Sequence, residues 1–406
     1  MGSLHSSNIQ SIEQAAEIES RHPSGDFQPL KAVIVSSAHT IHDTYSGFIS
    51  PLIPFLIESF SLMKVEASLF LFLFQGVSIL QPVIGHWADR IDLRKFALFA
   101  PAVSGIFLSL LGTAPTYQTA LLYCFLAGIS SAVMHATLPA LVSAYSGKNI
   151  GKGMSFWVVS GELGIMFGPI IITAVIASAS IKKTPWLMIG GIVISLLLNF
   201  LMKDEPFQPA NVKGGKSIPT GDLLAIMLPL GGIILMRSLL RAASEIYLPV
   251  YLGELGAGVW LSGASLSILQ GFGVLGVILG GLANDRYGFK PVLLTSVIIS
   301  GLGMLAFVFS SGLTQILSLS LIGTASMMML PIGMALSQDY FPENRSLANG
   351  IYLAMLFAIN AVTGVLTGFM YDQLGGRTTF LIGSLVIFLA IPFVYLLPKT
   401  EKDPKI

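Results

Sequence analysis

The sequence has few charged residues, a single cysteine and almost no net charge. Of its 406 residues, 11% are charged, whereas an average soluble domain has roughly 25%. The formal net charge is +1, which gives no indication of a nucleic-acid partner. Cys124 is the one cysteine, so a disulfide framework and a thiolate metal cluster within the chain are excluded. The motifs Gly-x-Ser-x-Gly and His-Glu-x-x-His are also missing, and we expect a protein that is not an enzyme.

Long apolar runs dominate the sequence instead. The chain is 53% hydrophobic, and its mean hydropathy is +0.78. A membrane helix needs about 20 mostly apolar residues, so the sequence predicts an all-α membrane protein. Residues 1–30 are polar and lack a stretch of the signal-peptide type, so the first span is expected to stay in the fold. Twelve spans are expected, at 33–57, 66–88, 96–114, 117–143, 154–179, 185–202, 223–252, 261–283, 292–310, 314–340, 348–371 and 378–397.

One sequence signal occurs twice, at residues 85–95 and 281–290, each time between two apolar runs. The offset between Asp89 and Asp285 is 196 residues, and the same offset separates Gly168 from Gly364. Two copies of one unit in an apolar chain are typical of two-bundle transporters. We therefore expect an N-terminal segment at 1–30, a six-helix bundle at 31–202, a linker at 203–221, a second six-helix bundle at 222–398 and a tail at 399–406.

The basic residues indicate how the spans are oriented. Placing both termini in the cytoplasm puts fourteen lysines and arginines of the loops on the inner side, and only Lys64, Lys182, Lys183 and Arg377 on the outer side. This bias follows the positive-inside rule. We expect a multi-pass protein of the inner (plasma) membrane that works as a monomer in the lipid bilayer, with a small molecule as its substrate.

The repeated Gly-x-x-x-Asp-Arg-x-x-x-Arg/Lys loop, which follows the second and eighth predicted spans, resembles the signature of the major facilitator superfamily. Within that superfamily, three stretches resemble the fosmidomycin-resistance family of exporters: His39–Asp43 in the first span, Gln81–Asp89 at the end of the second, and Gly161–Gly164 with Gly168 and Pro169 in the fifth. The resemblance implies two pseudo-symmetric six-helix bundles and proton-coupled drug efflux. The sequence departs from the pattern at Asp92, where a glycine is usual, and after Pro169, where no Gly-Gly follows.

The repeated loops predict a gate at the cytoplasmic helix ends. Asp89 and Asp285 lie where a carboxylate can accept hydrogen bonds from the unpaired N–H groups at the start of a neighbouring helix. The nearby cations, which can pair with carboxylates or lipid headgroups, are Arg90, Arg94, Arg286 and Lys290. We interpret these groups as a latch that closes the cytoplasmic side; the alternative is general anchoring by surface charges.

Small residues in the fifth span form part of the predicted gate. Gly164 and Gly168 lie on one helix face with Gly161 and let two backbones approach closely, and Pro169 loosens the helix locally. The alternative is helix packing without a role in coupling.

Ionisable groups inside a span are the strongest site candidates, because an isolated charge in the bilayer is costly. Asp43 lies near the centre of the first span, His39 is one turn earlier on the same face, and His42 lies on a neighbouring face. We predict that Asp43 loads and releases a proton with His39; the alternative is a structural His–Asp pair or a cap for a neighbouring helix. Glu162 and His135 are expected to pair with each other or to relay protons inward.

The seventh span carries a polar stripe of Arg237, Arg241 and Glu245, spaced one turn apart. Arginine offers a forked donor set suited to carboxylate, phosphate or phosphonate. The stripe predicts recognition of an anion; the alternative is that Glu245 neutralises Arg241 and another helix neutralises Arg237. The other residues expected to bind substrate are Tyr45, His42, Gln75, Gln270 and Asn360, whereas Asp339 and Asp372 near helix ends are expected to be solvated.

Together these features predict a secondary active transporter that exports small anionic or amphipathic compounds in exchange for protons, by alternating access. The alternative is a proton-coupled importer or facilitator of an anionic metabolite. No cofactor and no metal are expected, because the proton gradient supplies the energy. An intramembrane enzyme and a non-transporting sensor are the remaining classes, and neither is supported by a motif.

Overall fold

The computed structural model describes residues 27–88, 91–146, 150–203, 219–341 and 345–398. Within these residues the elements are all helical and no strand occurs, which confirms the expected all-α fold class. In the described part of the chain, ten helical segments are long and apolar enough to cross a membrane. The predicted linker and tail lie mostly outside the described residues.

The N-terminal half is built from nine helices in the described residues. They are α1 (Pro29–Ser46), α2 (Ile49–Phe60), α3 (Lys64–Gly76), α4 (Gln81–Ala88), α5 (Arg94–Leu98), α6 (Ala100–Leu110), α7 (Tyr117–Tyr145), α8 (Ile150–Ser178) and α9 (Met188–Leu201). A 3₁₀ turn at Val77–Leu80 joins α3 to α4, so these two helices form one span.

The C-terminal half repeats this arrangement with longer helices. They are α10 (Thr220–Ile246), α11 (Leu248–Glu254), α12 (Val259–Tyr287), α13 (Phe289–Phe309), α14 (Gly312–Tyr340), α15 (Arg345–Leu374), α16 (Gly376–Val386) and α17 (Ala390–Leu396). Between the halves, α8 packs against α12 and α3 packs against α15.

Two of the twelve predicted spans do not meet the length and hydropathy of the other ten. The first is divided into α1 and α2 at residues 47 and 48. Pro51 lies in the first turn of α2 and has no N–H to donate to the carbonyl of Gly47, which favours a new helix start at this point. The third is divided into α5, α6 and a 3₁₀ turn, and its longest apolar piece is Ala100–Thr113.

The two ends of the bundle are distinguished by contacts between helix termini. At one end, which we call the near side, the N–H of Gln28 donates to Tyr145 O at 2.9 Å, and the Tyr340 hydroxyl donates to Pro398 O. Both described ends of the chain therefore lie on the near side. The opposite end, the far side, contains the start of α3, the end of α15 and α11.

Candidate functional site

Three ionisable side chains meet inside the N-terminal half. His39 Nε2 lies 3.1 Å from Asp43 Oδ2 one turn later on α1, and 3.1 Å from His135 Nε2 on α7. His39 and Asp43 are buried, and His135 is partly exposed, with its ring 6.5 Å from that of Phe357 in the C-terminal half. The cluster therefore opens toward the junction of the two halves through His135.

Backbone carbonyls determine which ring nitrogens of the cluster carry hydrogen. His39 Nδ1 lies 2.9 Å from Trp157 O, and His135 Nδ1 lies 2.9 Å from Ser131 O. A carbonyl only accepts hydrogen bonds, so both Nδ1 atoms are protonated donors. In the neutral rings both Nε2 atoms are then acceptors, and they face each other and the carboxylate.

Three acceptor atoms at these separations require a hydrogen between them. With both rings neutral and Asp43 ionised, the lone pairs of His39 Nε2 would face those of Asp43 Oδ2 and His135 Nε2 without a donor. One added proton on His39 Nε2 turns the contact with Asp43 into a charge-assisted hydrogen bond. The two imidazole nitrogens and the carboxylate oxygen all lie within 4.8 Å of one another. They are atoms of the types that bind divalent metal ions, so they could also hold such an ion.

Glycines of α8 make room for the cluster. A Cβ atom added at Gly164 would lie 2.3 Å from Thr40 O, and one at Gly161 would lie 2.4 Å from His39 Cε1. At Gly168 it would lie 2.4 Å from Thr44 O. The backbone of α8 therefore runs directly against the turn of α1 that carries His39 and Asp43. Pro169 follows inside the same helix.

His42 and Tyr45 lie within the N-terminal bundle rather than at the junction of the halves. His42 is fully buried, its Nδ1 is 2.9 Å from Ser104 Oγ, and its Nε2 is 3.8 Å from Asp43 Oδ1. The Tyr45 hydroxyl donates to Leu187 O at 2.6 Å. Because Tyr45 is two residues after Asp43, it lies on the opposite face of α1. Its placement suits packing and does not fit the expected contact with substrate.

Glu162 is buried beside the cluster but does not pair with His135 as we expected. Its Oε2 atom has no hydrogen-bond partner among the described residues. The two ring nitrogens of His135 face Ser131 O and His39 Nε2 instead. The pairing of Glu162 with His135, one of the two expected alternatives, is therefore not formed among the described residues in this conformation, because both ring nitrogens of His135 have other partners. The inward proton relay stays a prediction.

A second polar group lies between the two halves. Arg241 and Glu245 form an ion pair, with Nη2 2.7 Å from Oε2 and Nε 2.9 Å from Oε1. Both line a small pocket together with Gln75 from α3 and Asn360 from α15. Asn360 accepts a hydrogen bond from Ser238 Oγ at 2.6 Å. Arg241, Glu245 and Asn360 of the C-terminal half thus meet Gln75 of the N-terminal half. All four are predicted substrate-binding residues.

The remaining predicted substrate residues lie apart from this pocket. The Arg237 side chain is 4% exposed and points into the C-terminal half, where Nε donates to Ser326 O at 2.8 Å. Gln270 on α12 is buried, and its Oε1 has no hydrogen-bond partner in the described part of the chain.

Sequence reasoning missed Trp157, whose ring stacks on His39 at 4.0 Å and whose carbonyl fixes the His39 tautomer. Its position one turn before Gly161 on the glycine face of α8 is the signal that could have indicated it.

Polar contacts join the two halves at the far side. The Asp372 carboxylate at the end of α15 accepts hydrogen bonds from the backbone N–H groups of Lys64 and Val65 at the start of α3, each at 2.8 Å. Tyr247 OH donates to Lys64 O at 2.9 Å, and Lys64 Nζ lies 3.5 Å from Glu254 Oε1. We call these residues the far-side latch. Asp372 is partly exposed rather than fully solvated as expected, because the unpaired N–H groups of a helix start attract a carboxylate.

The predicted near-side latch is described only in part. Asp89, Arg90 and the side chain of Asp285 lie outside the described residues. Arg94 binds Asp92 through Nε and Nη2, each at 2.7 Å, and these hydrogen bonds hold the pKa of the Asp92 carboxyl below its usual value.

The two copies of the loop differ in backbone conformation. Gly288 adopts φ 78°, a conformation that glycine favours, whereas Asp92 replaces the glycine of the first copy and its side chain binds Arg94. Arg286 and Lys290 lie over the rings of Tyr287 and Phe289, respectively.

Comparison with known families agrees with this architecture. A family model described as Major Facilitator Superfamily matches residues 35–284 and 230–406. The chain belongs to the Major Facilitator Superfamily. Membership confirms the resemblance inferred from the repeated loop, and it is consistent with secondary transport of a small molecule across a membrane.

Relatives within the superfamily cover nearly the whole chain. The chain is 22% identical over 388 residues to the fosmidomycin resistance protein of Escherichia coli (strain K12), covering 91% of this chain and 93% of that protein. It is 24% identical over 383 residues to an uncharacterised MFS-type transporter, YfnC, of Bacillus subtilis (strain 168), with the same coverage of 91% and 93%.

Solved structures of other superfamily members share the fold. A bacterial homologue of the human lysosomal transporter Spinster, in an inward-facing and occupied conformation, has a TM-score of 0.74 at 13% identity, covering 90% of this chain and 95% of the other. A D-xylose–proton symporter has a TM-score of 0.71 at 17% identity, with 92% and 98% covered.

Proposed function

We propose that this superfamily member exports small anionic or amphipathic compounds in exchange for protons. The observation that carries the proposal is that His39 Nε2, His135 Nε2 and Asp43 Oδ2 lie close together. The Nδ1 atoms of both histidines donate to backbone carbonyls, so only the Nε2 atoms are left to bind the proton. A proton placed between these atoms would join the carboxylate to a ring by a hydrogen bond, and rotation of a ring or movement of a lobe would break that bond. A carboxylate and two imidazoles in a span are the groups that proton relays use.

The path of the cargo follows from the two polar groups at the junction. The proton cluster opens through His135 toward the C-terminal half, and the Arg241–Glu245 pair lies across the junction beside Gln75. An anionic cargo group would compete with Glu245 for the Arg241 guanidinium, whose forked donors suit carboxylate and phosphonate. Loading of the proton would then favour rearrangement of the lobes and release of the anion.

Alternating access in this proposal uses two gates. We place the near side in the cytoplasm of the cell, on the inner membrane, because most loop cations lie there. The far-side latch is then the outer gate, and its closure leaves cargo exchange to the cytoplasmic side. Opening it requires the α15 carboxylate to leave the start of α3. One chain contains both bundles, so a monomer is sufficient.

The test is flux from proteoliposomes that hold a trapped anionic cargo. We would use fosmidomycin first, because a relative is named for resistance to it. Acidifying the outer medium should speed cargo release at least tenfold in an exchanger, while it slows release in a symporter. A metal chelator in both compartments keeps metal ions from occupying the histidines.

The matched variant for this experiment is Asp43→Asn. It should lose the response to the pH gradient and keep cargo-for-cargo exchange without a gradient. Wild-type proton response in Asp43→Asn would contradict the proposed role of the cluster. Slower release from wild type under outer acid would favour the importer alternative on the same scaffold.

A further inference from the structure

The cluster of His39, Asp43 and His135 also has the donor atoms and the spacing of a metal site. His39 Nε2 lies 3.1 Å from both Asp43 Oδ2 and His135 Nε2, and donor atoms of all three residues lie within 4.8 Å of one another. Zn²⁺ binds imidazole nitrogen and carboxylate oxygen at about 2.0–2.2 Å, so neighbouring ligands of a tetrahedral site are about 3.4 Å apart. Both contacts of His39 are only slightly shorter than this separation, so a small movement of the side chains makes room for the ion.

The outer hydrogen bonds of both histidines are those of metal-binding histidines. His39 Nδ1 donates to Trp157 O, and His135 Nδ1 donates to Ser131 O, each at 2.9 Å. A histidine that binds a metal almost always donates its other ring N–H to a carbonyl, a carboxylate or water, which orients the ring and makes the ligand nitrogen more basic. The Trp157 ring also stacks on His39 at 4.0 Å and restricts its rotation. The lone pairs of both Nε2 atoms are therefore held in place for a metal ion.

Two buried carboxylates can balance the charge of a divalent ion at this position. Asp43 is itself a ligand in the cluster. Glu162 is 9% exposed, and its Oε2 has no hydrogen-bond partner among the described residues. It follows Gly161, whose backbone lies so close to His39 that a Cβ atom there would be 2.4 Å from the ring carbon Cε1. An ion inside a membrane bundle is costly unless opposite charge is near, and both carboxylates meet this need.

The ion can reach the cluster from the junction of the two halves. His39 and Asp43 are buried, whereas His135 is partly exposed, and its ring lies 6.5 Å from that of Phe357 in the C-terminal half. Entry therefore requires the halves to separate at this point and does not require passage through a packed bundle. Zinc sites with three protein ligands keep a fourth position for water. The partly exposed His135 places that position on the junction side.

We propose that His39, Asp43 and His135 form a Zn²⁺ site, and that zinc occupies the cluster in place of the proton. Two imidazole ligands favour zinc over Mg²⁺ and Ca²⁺, which prefer oxygen ligands. This proposal departs from the expectation, drawn from the sequence, that the protein binds no metal. Zinc would use the lone pairs of both Nε2 atoms and of a carboxylate oxygen, which are the lone pairs that the transported proton needs. Inhibition of proton-driven flux rests on the proposed function, whereas zinc binding itself does not.

Binding of Co²⁺ and Zn²⁺ to the purified full-length protein, with any affinity tag removed, tests the site without a flux measurement. Co²⁺ takes the same ligands and absorbs visible light strongly in a four-coordinate site. Wild type should develop this absorption at one equivalent of Co²⁺, and Zn²⁺ should abolish it, because zinc binds such sites more tightly. An excess of Mg²⁺ should leave it unchanged.

Single substitutions assign the bound ion to the cluster. Loss of an outer hydrogen bond costs about 10- to 100-fold in metal affinity, so we expect His135→Gln, His39→Gln and Asp43→Asn each to cost at least about 100-fold. The matched controls are His5→Gln and His22→Gln, which remove histidines of the polar N-terminal segment and should leave the affinity within twofold. If His39→Gln does not fold, the partly exposed His135 decides the question. Wild-type affinity in His135→Gln would overturn the proposal.

Flux from proteoliposomes without a chelator tests the competition with the proton. Zinc should slow proton-driven release of fosmidomycin at least tenfold, and EDTA should restore it. Cargo-for-cargo exchange should continue, because all three ligands lie in one half and zinc does not tie the halves together. Zinc that binds the cluster but leaves the proton response unchanged would overturn the competition. A wild type without any proton response would contradict the proposed function, while the Co²⁺ absorption would still show whether the metal site exists.

Discussion

The contacts of the far-side latch predict that one carboxylate controls the closed state of the far side. Asp372 accepts two backbone hydrogen bonds at the start of α3, each at 2.8 Å, from the opposite half of the molecule. Gly368, one turn earlier on α15, permits the approach, because a Cβ atom there would lie 2.8 Å from Lys64 O. The perturbation is Asp372→Asn, which keeps the shape and removes the charge.

The magnitude follows from the hydrogen bonds that the substitution weakens. A hydrogen bond to a charged group contributes about 1.5–3 kcal/mol, and the asparagine amide keeps only one oxygen to accept. The helix dipole adds about 0.3–1 kcal/mol in favour of the carboxylate. A net loss of about 2–3 kcal/mol shifts the closed-to-open ratio about 30- to 150-fold, since about 1.4 kcal/mol is a factor of ten.

Distances between spin labels at the far side provide the assay. Gln118 and Ser311 are exposed at far-side helix starts in opposite halves, and both can be replaced by cysteine. The native Cys124 is buried, so Cys124→Ala is a simple background. Asp372→Asn should move a large part of the distance distribution to longer values.

Two controls make the result decisive. Asp222→Asn removes an exposed carboxylate from the first turn of its own helix, α10, and should not change the distances. Lys64→Gln breaks a partly exposed ion pair at 3.5 Å, and such pairs contribute at most about 1 kcal/mol, so its shift should be less than about sixfold. An unchanged distribution in Asp372→Asn, or a larger shift in Lys64→Gln, would refute the reasoning.

Three other experiments test the site. Gly164→Ala should lower the melting temperature by several degrees and abolish proton-driven flux, because its methyl group would lie 2.3 Å from Thr40 O, whereas Gly350→Ala has open space and should be neutral in thermal unfolding. His135→Gln should reduce proton-driven flux at least tenfold and spare cargo exchange; full coupling in this variant would remove His135 from the cluster. Arg241→Gln and Glu245→Gln should each lower the free energy of unfolding by about 1–3 kcal/mol, because each leaves one charge of the 2.7 Å ion pair without its partner. The double variant should recover most of this loss, because it leaves neither charge behind.

Sequence patterns predicted the scaffold because lipid restricts what a span can contain. The lengths of the apolar runs predicted most of the membrane-spanning helices, and the offset of 196 residues between repeated motifs predicted the two halves. The interruption at residues 47 and 48 escaped this reasoning, because the apolar length of a run does not show where a helix ends and the next begins. Hydropathy measures partition into lipid and contains no information on backbone continuity.

Most residues of the candidate site could be predicted from the sequence, but which of them contact each other could be predicted less well. Asp43, His39 and His135 were recognisable because ionisable groups in a span are rare. Which groups touch depends on the rotation of each helix about its axis, and rotation is set by packing. Asp372 shows the limit well, because its partners are backbone N–H groups about 300 residues away, and backbone groups leave no signature in a sequence.

The repeat relation argues that the two halves divide the chemistry between them. At the offset of 196 residues, His39, Asp43 and His135 correspond to Leu235, Leu239 and Pro331, so the acceptor cluster has no counterpart in the C-terminal half.

The reverse comparison gives the same result. Arg237 and Arg241 correspond to Ile41 and Tyr45, so these cationic groups have no counterpart in the N-terminal half. Glycines occur at corresponding positions in both halves, at Gly168 and Gly364. Duplication therefore accounts for the shared scaffold, and the groups that we propose for proton binding and for anion binding lie in different lobes. In the proposed mechanism, a lobe that holds the proton and a lobe that holds the anion must approach and separate, which couples the two ions through the same motion.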